Sequence, residues 1–365
     1  MNINAQNPVL KQLINPFQRF FKLQAAGGIF LLIVTILALI IANSPLYEYY
    51  HNFFHTKLTL GFGNFQLSKY LILWINDGLM GIFFFVVGLE IKREIIAGEL
   101  SNMKKASFPI AAALGGLLVP AGIYIALNYG QPGMSGWGIP MATDIAFSIA
   151  ILMLLGDKVP VGLKVFLTAF AIVDDIGAVM VIALFYSNAI QWNLILIAAG
   201  IFAILLLINL LNIRIIALYI FIGAILWYLF LMAGIHPTIA GILLAFTIPV
   251  RRKIKLFSYI KRMKEHINEL KEDACHEKIA MTHEQLEVID NIEDDTKKVQ
   301  SPLQALEHGL HGFVVFFIMP VFAFANAGVQ LISDTGDVSF GWISFSIGIA
   351  LIVGNEVDGV EEKIL

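Results

Sequence analysis

Long runs of apolar residues, separated by short polar segments, recur along the chain. Most approach the roughly 20 residues that a helix needs to cross the hydrocarbon core of a bilayer. Each run is expected to be helical, because lipid offers no hydrogen-bond partner to a free backbone N–H or C=O. The pattern predicts an all-α, polytopic membrane protein with about ten spans: 27–42, 71–89, 107–127, 137–155, 162–186, 193–211, 215–232, 236–250, 309–330 and 340–354.

Composition supports this class and excludes others. Of 365 residues, 58% are hydrophobic and 14% are charged, against about 25% charged residues in ordinary soluble domains. A soluble globular enzyme and a disordered chain are therefore excluded. The 27 acidic and 24 basic residues nearly balance, so no nucleic-acid partner is indicated. The single Cys275 excludes a disulfide framework and a cysteine-rich zinc module.

The basic residues alternate between loops. Lys and Arg occur before the first span, after the second, between the fourth and fifth, and after the sixth and eighth, whereas the loops 128–136, 187–192 and 233–236 have none. By the positive-inside rule, the N-terminus is cytoplasmic. The predicted organisation is a membrane domain at 1–250, a charged cytoplasmic linker at 251–307, two further spans within 308–354 and an acidic tail at 355–365.

Two segments outside the spans differ from the apolar runs in their residue pattern. Residues 251–307 contain 23 of the 51 charged residues, and we expect a solvated linker that is helical in part. The spacing of His266, Cys275, His276 and His283 matches no zinc pattern. Residues 57–67 alternate loosely around Gly63-Asn64, which predicts a small extracytoplasmic β-hairpin.

Acidic residues inside the apolar runs carry the candidate chemistry. They are Asp77, Asp144, Asp174 and Asp175. One Asp at the centre of a membrane helix costs about 2.5–3.5 kcal/mol on insertion scales. An adjacent pair is tolerated where it faces a water-filled cavity and binds a cation, or where one acid keeps its proton. Two close carboxylates also separate their pKa values, which couples cation binding to proton release.

The fourth span is predicted to be broken. Gly133, Gly136, Gly138 and Pro140 crowd its start, and Thr143-Asp144 interrupts its apolar run. Proline removes a helical donor and clashes with the preceding turn. Broken helices at membrane depth expose carbonyls and helix ends that form ion sites in secondary transporters. A regular helix that starts at Pro140 is the alternative.

Two charged clusters flank spans at the inferred cytoplasmic face. Glu90, Lys92, Arg93 and Glu94 end the second span, and Glu307, His308 and His311 begin the ninth. Histidine beside a carboxylate titrates around neutral pH, which indicates a pH-responsive surface. Solvated helix ends are the simpler interpretation.

At these residues the sequence closely resembles the NhaA family of sodium/proton antiporters. The matching stretches stand in the family's order, and the resemblance extends from about residue 17 to 354. They are Leu73-Trp-Ile-Asn-Asp77, Val87-Gly-Leu-Glu-Ile-Lys-Arg-Glu94, Ala142-Thr-Asp-Ile-Ala-Phe147, Ala171-Ile-Val-Asp-Asp-Ile-Gly-Ala178, Glu307-His-Gly-Leu-His311 and Pro320-Val-Phe-Ala-Phe-Ala-Asn-Ala-Gly328.

The resemblance implies a transporter, not an enzyme, in a bacterial inner membrane, which exchanges internal sodium or lithium for external protons without a cofactor. It implies an ion and proton site at Asp174 and Asp175, with Thr143 and Asp144 nearby. It assigns pH activation to Glu90, Arg93, Glu94, Glu307, His308 and His311. It also implies a homodimer through the hairpin at 57–67.

The C-terminal residues depart from the family. The resemblance implies twelve spans and a Gly-Lys in the tenth, whose lysine pairs with the first acid of the Asp pair. Here those positions are Gly354-Asn355, followed by an acidic tail to Leu365. This pattern indicates a truncated or frameshifted reading frame, in which Lys363 does not substitute; a shortened but working paralogue is the alternative.

Three functions compete on these observations. A cation/proton antiporter is the leading hypothesis, and a transport-inactive truncated product is the second. An intramembrane aspartyl protease is the third, since acids on neighbouring helices can activate water. That class carries Tyr-Asp and Gly-x-Gly-Asp, whereas here Val173 precedes Asp174 and no Gly-x-Gly-Asp occurs.

Overall fold

The structure is a computed structural model, which describes residues 26–62, 65–141, 161–185, 191–273, 282–330 and 345–351. Its helices, in chain order, are α1 (Ala26–Ala42), α2 (Tyr47–Phe54), α3 (Leu71–Ala97), α4 (Met103–Leu127), α5 (Val161–Phe185), α6 (Trp192–Leu210), α7 (Ile216–Ala233), α8 (Thr238–Thr247), α9 (Leu256–Asp273), α10 (His283–Val299), α11 (Pro302–Asn326) and α12 (345–351). Strands β1 (Lys57–Phe62) and β2 (Phe65–Tyr70) lie between α2 and α3.

The described helices confirm a helical membrane protein. Five of them, α3, α4, α6, α7 and α11, are long and apolar enough to cross a bilayer, and α1 with α2, bent by 114°, passes the same test as a pair. Helix α5 has 25 residues, which span about 37 Å. The count of ten spans stays a prediction. The fourth predicted span lies mostly in 142–160, outside the described residues.

Several predicted boundaries differ from those observed, and two of them matter for the site. The predicted span 236–250 forms only the ten-residue helix α8. Helix α11 starts at Pro302 instead of 309, because Ser301 caps it by accepting a hydrogen bond from the N–H of Gln304. Serine before a proline at the first helical position is a strong start signal. Glu307 therefore lies inside a helix rather than at the end of a linker.

Helices α3 and α8 pack with their backbones almost in contact. A Cβ placed on Gly241 of α8 would lie 2.3 Å from the carbonyl oxygen of Gly81 and 2.9 Å from the amide nitrogen of Phe85. Small residues permit such close approach in membranes, where dispersion forces drive helix association. The largest buried core surrounds this contact and includes residues of α3, α6, α7 and α8.

The predicted β-hairpin is confirmed as a two-stranded antiparallel sheet, with Lys57 opposite Tyr70 and Leu60 opposite Leu67. The indole N–H of Trp74 donates a 3.0 Å hydrogen bond to the carbonyl of Leu58. A lone hairpin is marginally stable in water, so this anchor on α3 helps to hold it.

The charged segment after α8 contains a pair of helices, α9 and α10. Arg262 of α9 donates a 3.1 Å hydrogen bond to Asp295 of α10, which is buried. The backbone amides of Lys253 and Ile254 both donate to the carbonyl of Lys298, at 3.1 and 3.3 Å. The chain therefore enters and leaves this helical pair at one point.

Candidate ion site and charged cluster

The adjacent carboxylates lie near the middle of α5. Asp174 is only 3% exposed, and Asp175 is half-buried. At 1.5 Å per residue, both lie roughly 15–20 Å from either end of the helix, about half the thickness of a hydrocarbon core. This position fits the predicted pair inside the membrane.

Neighbouring helices surround this part of α5. Ile172 packs against Val87 and Ile91 of α3. A Cβ placed on Gly177 would lie 2.2 Å from a methyl carbon of Leu117, so α4 passes close by on another side. Asp174 is thus buried in protein instead of facing lipid, the usual setting of functional acids in membranes.

The other two residues of the predicted ion site, Thr143 and Asp144, lie outside the described residues. Two short 3₁₀ turns, Pro132–Gly136 and Ile139–Met141, precede them. The proximity of Thr143 and Asp144 to the pair on α5, and the break in the fourth helix, stay predictions.

The remaining intramembrane acid, Asp77, has a nearby partner. Its carboxylate accepts a 2.8 Å bond from the ammonium of Lys69, at the end of β2, and both side chains are partly exposed. Asp77 lies in a π-helical turn of α3, Ile75–Leu79. The next residue toward the N-terminus, Asn76, exchanges two amide hydrogen bonds with Asn326 of α11. These contacts indicate a structural role for Asp77.

Five of the six residues predicted to sense pH meet between α3 and α11, and they form what we call the charged cluster: Glu90, Arg93, Glu94, Glu307 and His311. The guanidinium of Arg93 lies 3.0 Å from Glu94 and 3.3 Å from Glu307. Nδ1 of His311 lies 3.6 Å from Glu90. The sixth, His308, is exposed.

The charged cluster joins two different helices. Glu90, Arg93 and Glu94 belong to α3, whereas Glu307 and His311 belong to α11. Arg93 bridges the helices through Glu307, and Glu90 meets His311 across the same gap. A change in the charge of any of these side chains would therefore alter the attraction between α3 and α11.

Sequence reasoning missed the role of Lys92, which was grouped with solvated helix ends. Lys92 is buried, and its ammonium donates to the carbonyls of Phe246 and Ile248 at 2.6 and 2.5 Å. These carbonyls end α8, where a positive charge is favourable to the helix dipole. The sequence carries no signal for this contact, because the acceptors are backbone atoms far along the chain.

Within the described residues, no group of three or more His, Cys, Asp or Glu side chains is arranged to hold a metal. His266 of the linker lies 3.7 Å from Asp295 and 3.6 Å from Glu269. Cys275 and His276 lie outside the described part.

Apolar membrane-length helices with an adjacent carboxylate pair halfway along one of them, one acid buried and one half-buried, are typical of a helical membrane protein of the ion-translocating class. The sequence model of the family described as Na+/H+ antiporter 1 matches residues 18–362. The chain belongs to this family, and the resemblance seen in its motifs is confirmed.

Relatives named Na+/H+ antiporter NhaA match nearly the whole chain. The protein of Oleidesulfovibrio alaskensis is 48% identical over 96% of this chain and 78% of its own length. The protein of Phocaeicola vulgatus is 46% identical over 93% of this chain and 77% of its own. That of Saccharophagus degradans, named NhaA 1, is 41% identical over 96% and 76%.

Proposed function

We propose that this protein is a secondary transporter that exchanges internal sodium, or lithium, for external protons across a bacterial inner membrane. Family membership supports the reaction. The ion and proton site is assigned to Asp174 and Asp175. The supporting observation is that these adjacent acids, one buried and one half-buried, lie in the middle of α5. Thr143 and Asp144 are proposed to add oxygen ligands to the same ion.

The chemistry of a carboxylate pair is sufficient for exchange. A proton bound to one acid relieves the repulsion between two close negative charges. A sodium ion that enters the site favours both ionised forms and releases the proton. Binding of the two substrates is then mutually exclusive, so each ion leaves when the other arrives. No cofactor is required for this step.

Reconstitution tests the function directly. In liposomes with an imposed sodium gradient, the purified protein is expected to move protons against the direction of sodium, as followed by a pH-sensitive dye. Sodium and lithium should support the flux, and potassium serves as the matched control. A well-folded preparation with no cation-dependent flux would favour the transport-inactive alternative. The protease alternative would be favoured if the protein cleaved a membrane-helix peptide and its Asp174→Asn variant did not.

The charged cluster is proposed to set the pH dependence of exchange. Replacing His311 by Gln removes the imidazole that lies beside Glu90 between α3 and α11, and we expect the pH profile of sodium-dependent flux to shift by roughly one unit, the scale of one nearby charge. Glu307→Gln, which removes a carboxylate beside Arg93, should also shift it. The measurement is initial flux against pH.

His308 provides the comparison for this experiment. It is exposed and follows Glu307 directly, so His308→Gln should shift the profile less than His311→Gln. Equal shifts for the two variants would indicate that surface charge, not the contacts of the charged cluster, controls the pH response.

The proposed topology has ten spans with a cytoplasmic N-terminus. The alternating basic loops support it. On this topology, the charged cluster and the linker lie at the cytoplasmic face, and the β-hairpin lies outside.

A homodimer through the β-hairpin completes the proposal. Leu58 and Leu60 are 42% and 52% exposed on the same face of β1, and a two-stranded sheet has open edges that accept another strand. Leu60→Lys is expected to halve the protein mass measured by light scattering in detergent. Leu286→Lys, at a 46% exposed position of α10, is the control, and an unchanged mass in both variants would argue against a dimer through the hairpin.

A further inference from the structure

Helix α9 has an apolar face that no described residue covers. Phe257 is 82% exposed, Leu256 53%, Ile260 46% and Ile267 43%. A different face of the helix packs on α10, because Tyr259 and Arg262 contact Thr296 and Asp295, and it lies about 60–160° round the helix from these side chains. The exposed apolar side chains therefore do not belong to the core of the helical pair.

These side chains share one sector of the helix with lysines. At about 100° per residue, Leu256, Ile267 and Ile260 fall within about 40°, and Phe257 lies about 60° beyond them. The exposed Lys271 and Lys264 lie between Ile260 and Phe257, and Lys261 lies about 40° past Phe257. Glu265 and Glu269 point about 80–120° past Phe257. Exposed apolar side chains with lysines between and beside them favour a helix that lies in a membrane interface.

The position of α9 in the chain brings it close to the surface of the bilayer. The helix begins nine residues after α8 ends at Thr247, and its start is held at the base of the helical pair by the bonds to Lys298. Four exposed basic residues occupy this short connection: Arg251, Arg252, Lys253 and Lys255. The other helix, α10, carries six acidic residues and two lysines. The pair thus has a basic apolar side and an acidic side.

We propose that α9 binds the surface of the bilayer, with its apolar stripe below the headgroups and its lysines on anionic phospholipids. Lysine stems extend along apolar surface while their ammonium groups reach phosphate. Each basic residue near an anionic surface strengthens binding by about fivefold. The acidic helix α10 faces away from the lipid, because like charges repel it.

Spin labels in the full-length protein test this contact. In a Cys275→Ser background, one label replaces Ile260 on the apolar stripe, and a matched label replaces Glu265, which lies about 140° round the helix. The protein is placed in nanodiscs of phosphatidylglycerol and phosphatidylcholine. The label at 260 is expected to collide several-fold more with lipid-dissolved oxygen, relative to an aqueous nickel complex, than the label at 265. In pure phosphatidylcholine, or with Lys261, Lys264 and Lys271 all changed to Gln, this difference should fall.

Two outcomes would overturn the proposal. Equal access of the nickel complex to both labels in anionic nanodiscs would place α9 in water. Dipolar broadening at position 260 without oxygen access would identify a second copy of the chain as the occupant. A label at Ile267 provides an independent reading, since it lies two turns further along the same stripe and is 43% exposed.

Discussion

Replacing Asp175 by asparagine is expected to reduce sodium-dependent proton flux to that of protein-free liposomes. The amide has nearly the same shape as the carboxylate, but it neither releases a proton nor neutralises a cation. Asp174→Asn should have the same effect, because the proposed exchange needs a proton and a sodium ion to compete for one pair of negative charges. Flux is measured in proteoliposomes with equal amounts of folded protein, and sodium binding by calorimetry separates lost binding from lost turnover.

Asp77→Asn is the matched control for both variants. It also removes an acid from a membrane helix, but the structure pairs that acid with Lys69 at 2.8 Å, away from α5. We expect this variant to keep most of its flux. Undiminished exchange in Asp175→Asn, or equal losses in all three variants, would contradict the assignment of the ion site to the pair on α5.

The second large effect is expected on stability. Gly241→Ala adds a methyl group that would lie 2.3 Å from the carbonyl oxygen of Gly81, and a backbone atom of a packed helix has no room to move aside. Helices α3 and α8 must then separate, which also pulls the α8 carbonyls away from Lys92. We expect a loss of about 3 kcal/mol, at the upper end for overpacking, and a clearly lower thermal transition in detergent.

Gly122→Ala is the control for this substitution. Gly122 also lies inside a membrane helix, α4, but nothing lies within 4 Å of an added Cβ. Alanine is favoured over glycine in helices by up to about 1 kcal/mol, so this variant should be as stable as the parent or more so. A thermal transition unchanged by Gly241→Ala would show that the contact between α3 and α8 is looser than described.

Much of the helical architecture is predictable, because lipid leaves the backbone few alternatives. The apolar runs 27–42, 193–211 and 215–232 correspond closely to α1, α6 and α7. Apolarity is a weaker guide to where a helix ends. Helix α3 continues to Ala97, past the predicted end at 89, since Glu90, Lys92 and Arg93 find partners on other helices and need no water.

The candidate site was predictable in its residue types but not in its contacts. Acidic residues in apolar runs are conspicuous, and their adjacency already distinguished Asp174 and Asp175 from Asp77. Only the fold shows the partner of Asp77, because Lys69 meets it through the turn from β2 into α3. Likewise, His308 and His311 looked equivalent in sequence. Three positions along a helix place His311 against Glu90 but leave His308 exposed.

The closed base of the helical pair has a consequence for how this region tolerates change. The amide of Leu303 donates to the carbonyl of Pro249 at 3.3 Å, beside the two bonds from Lys253 and Ile254 to Lys298. Helices α8 and α11 are therefore connected by a segment whose two ends are already held together by hydrogen bonds. The entropy of closing a loop grows only with the logarithm of its length, and here local bonds hold the ends together. Insertions and deletions between residues 255 and 297 should therefore have little effect on α8 and α11. This segment can diverge in sequence while the membrane helices around the proposed ion site stay unaltered.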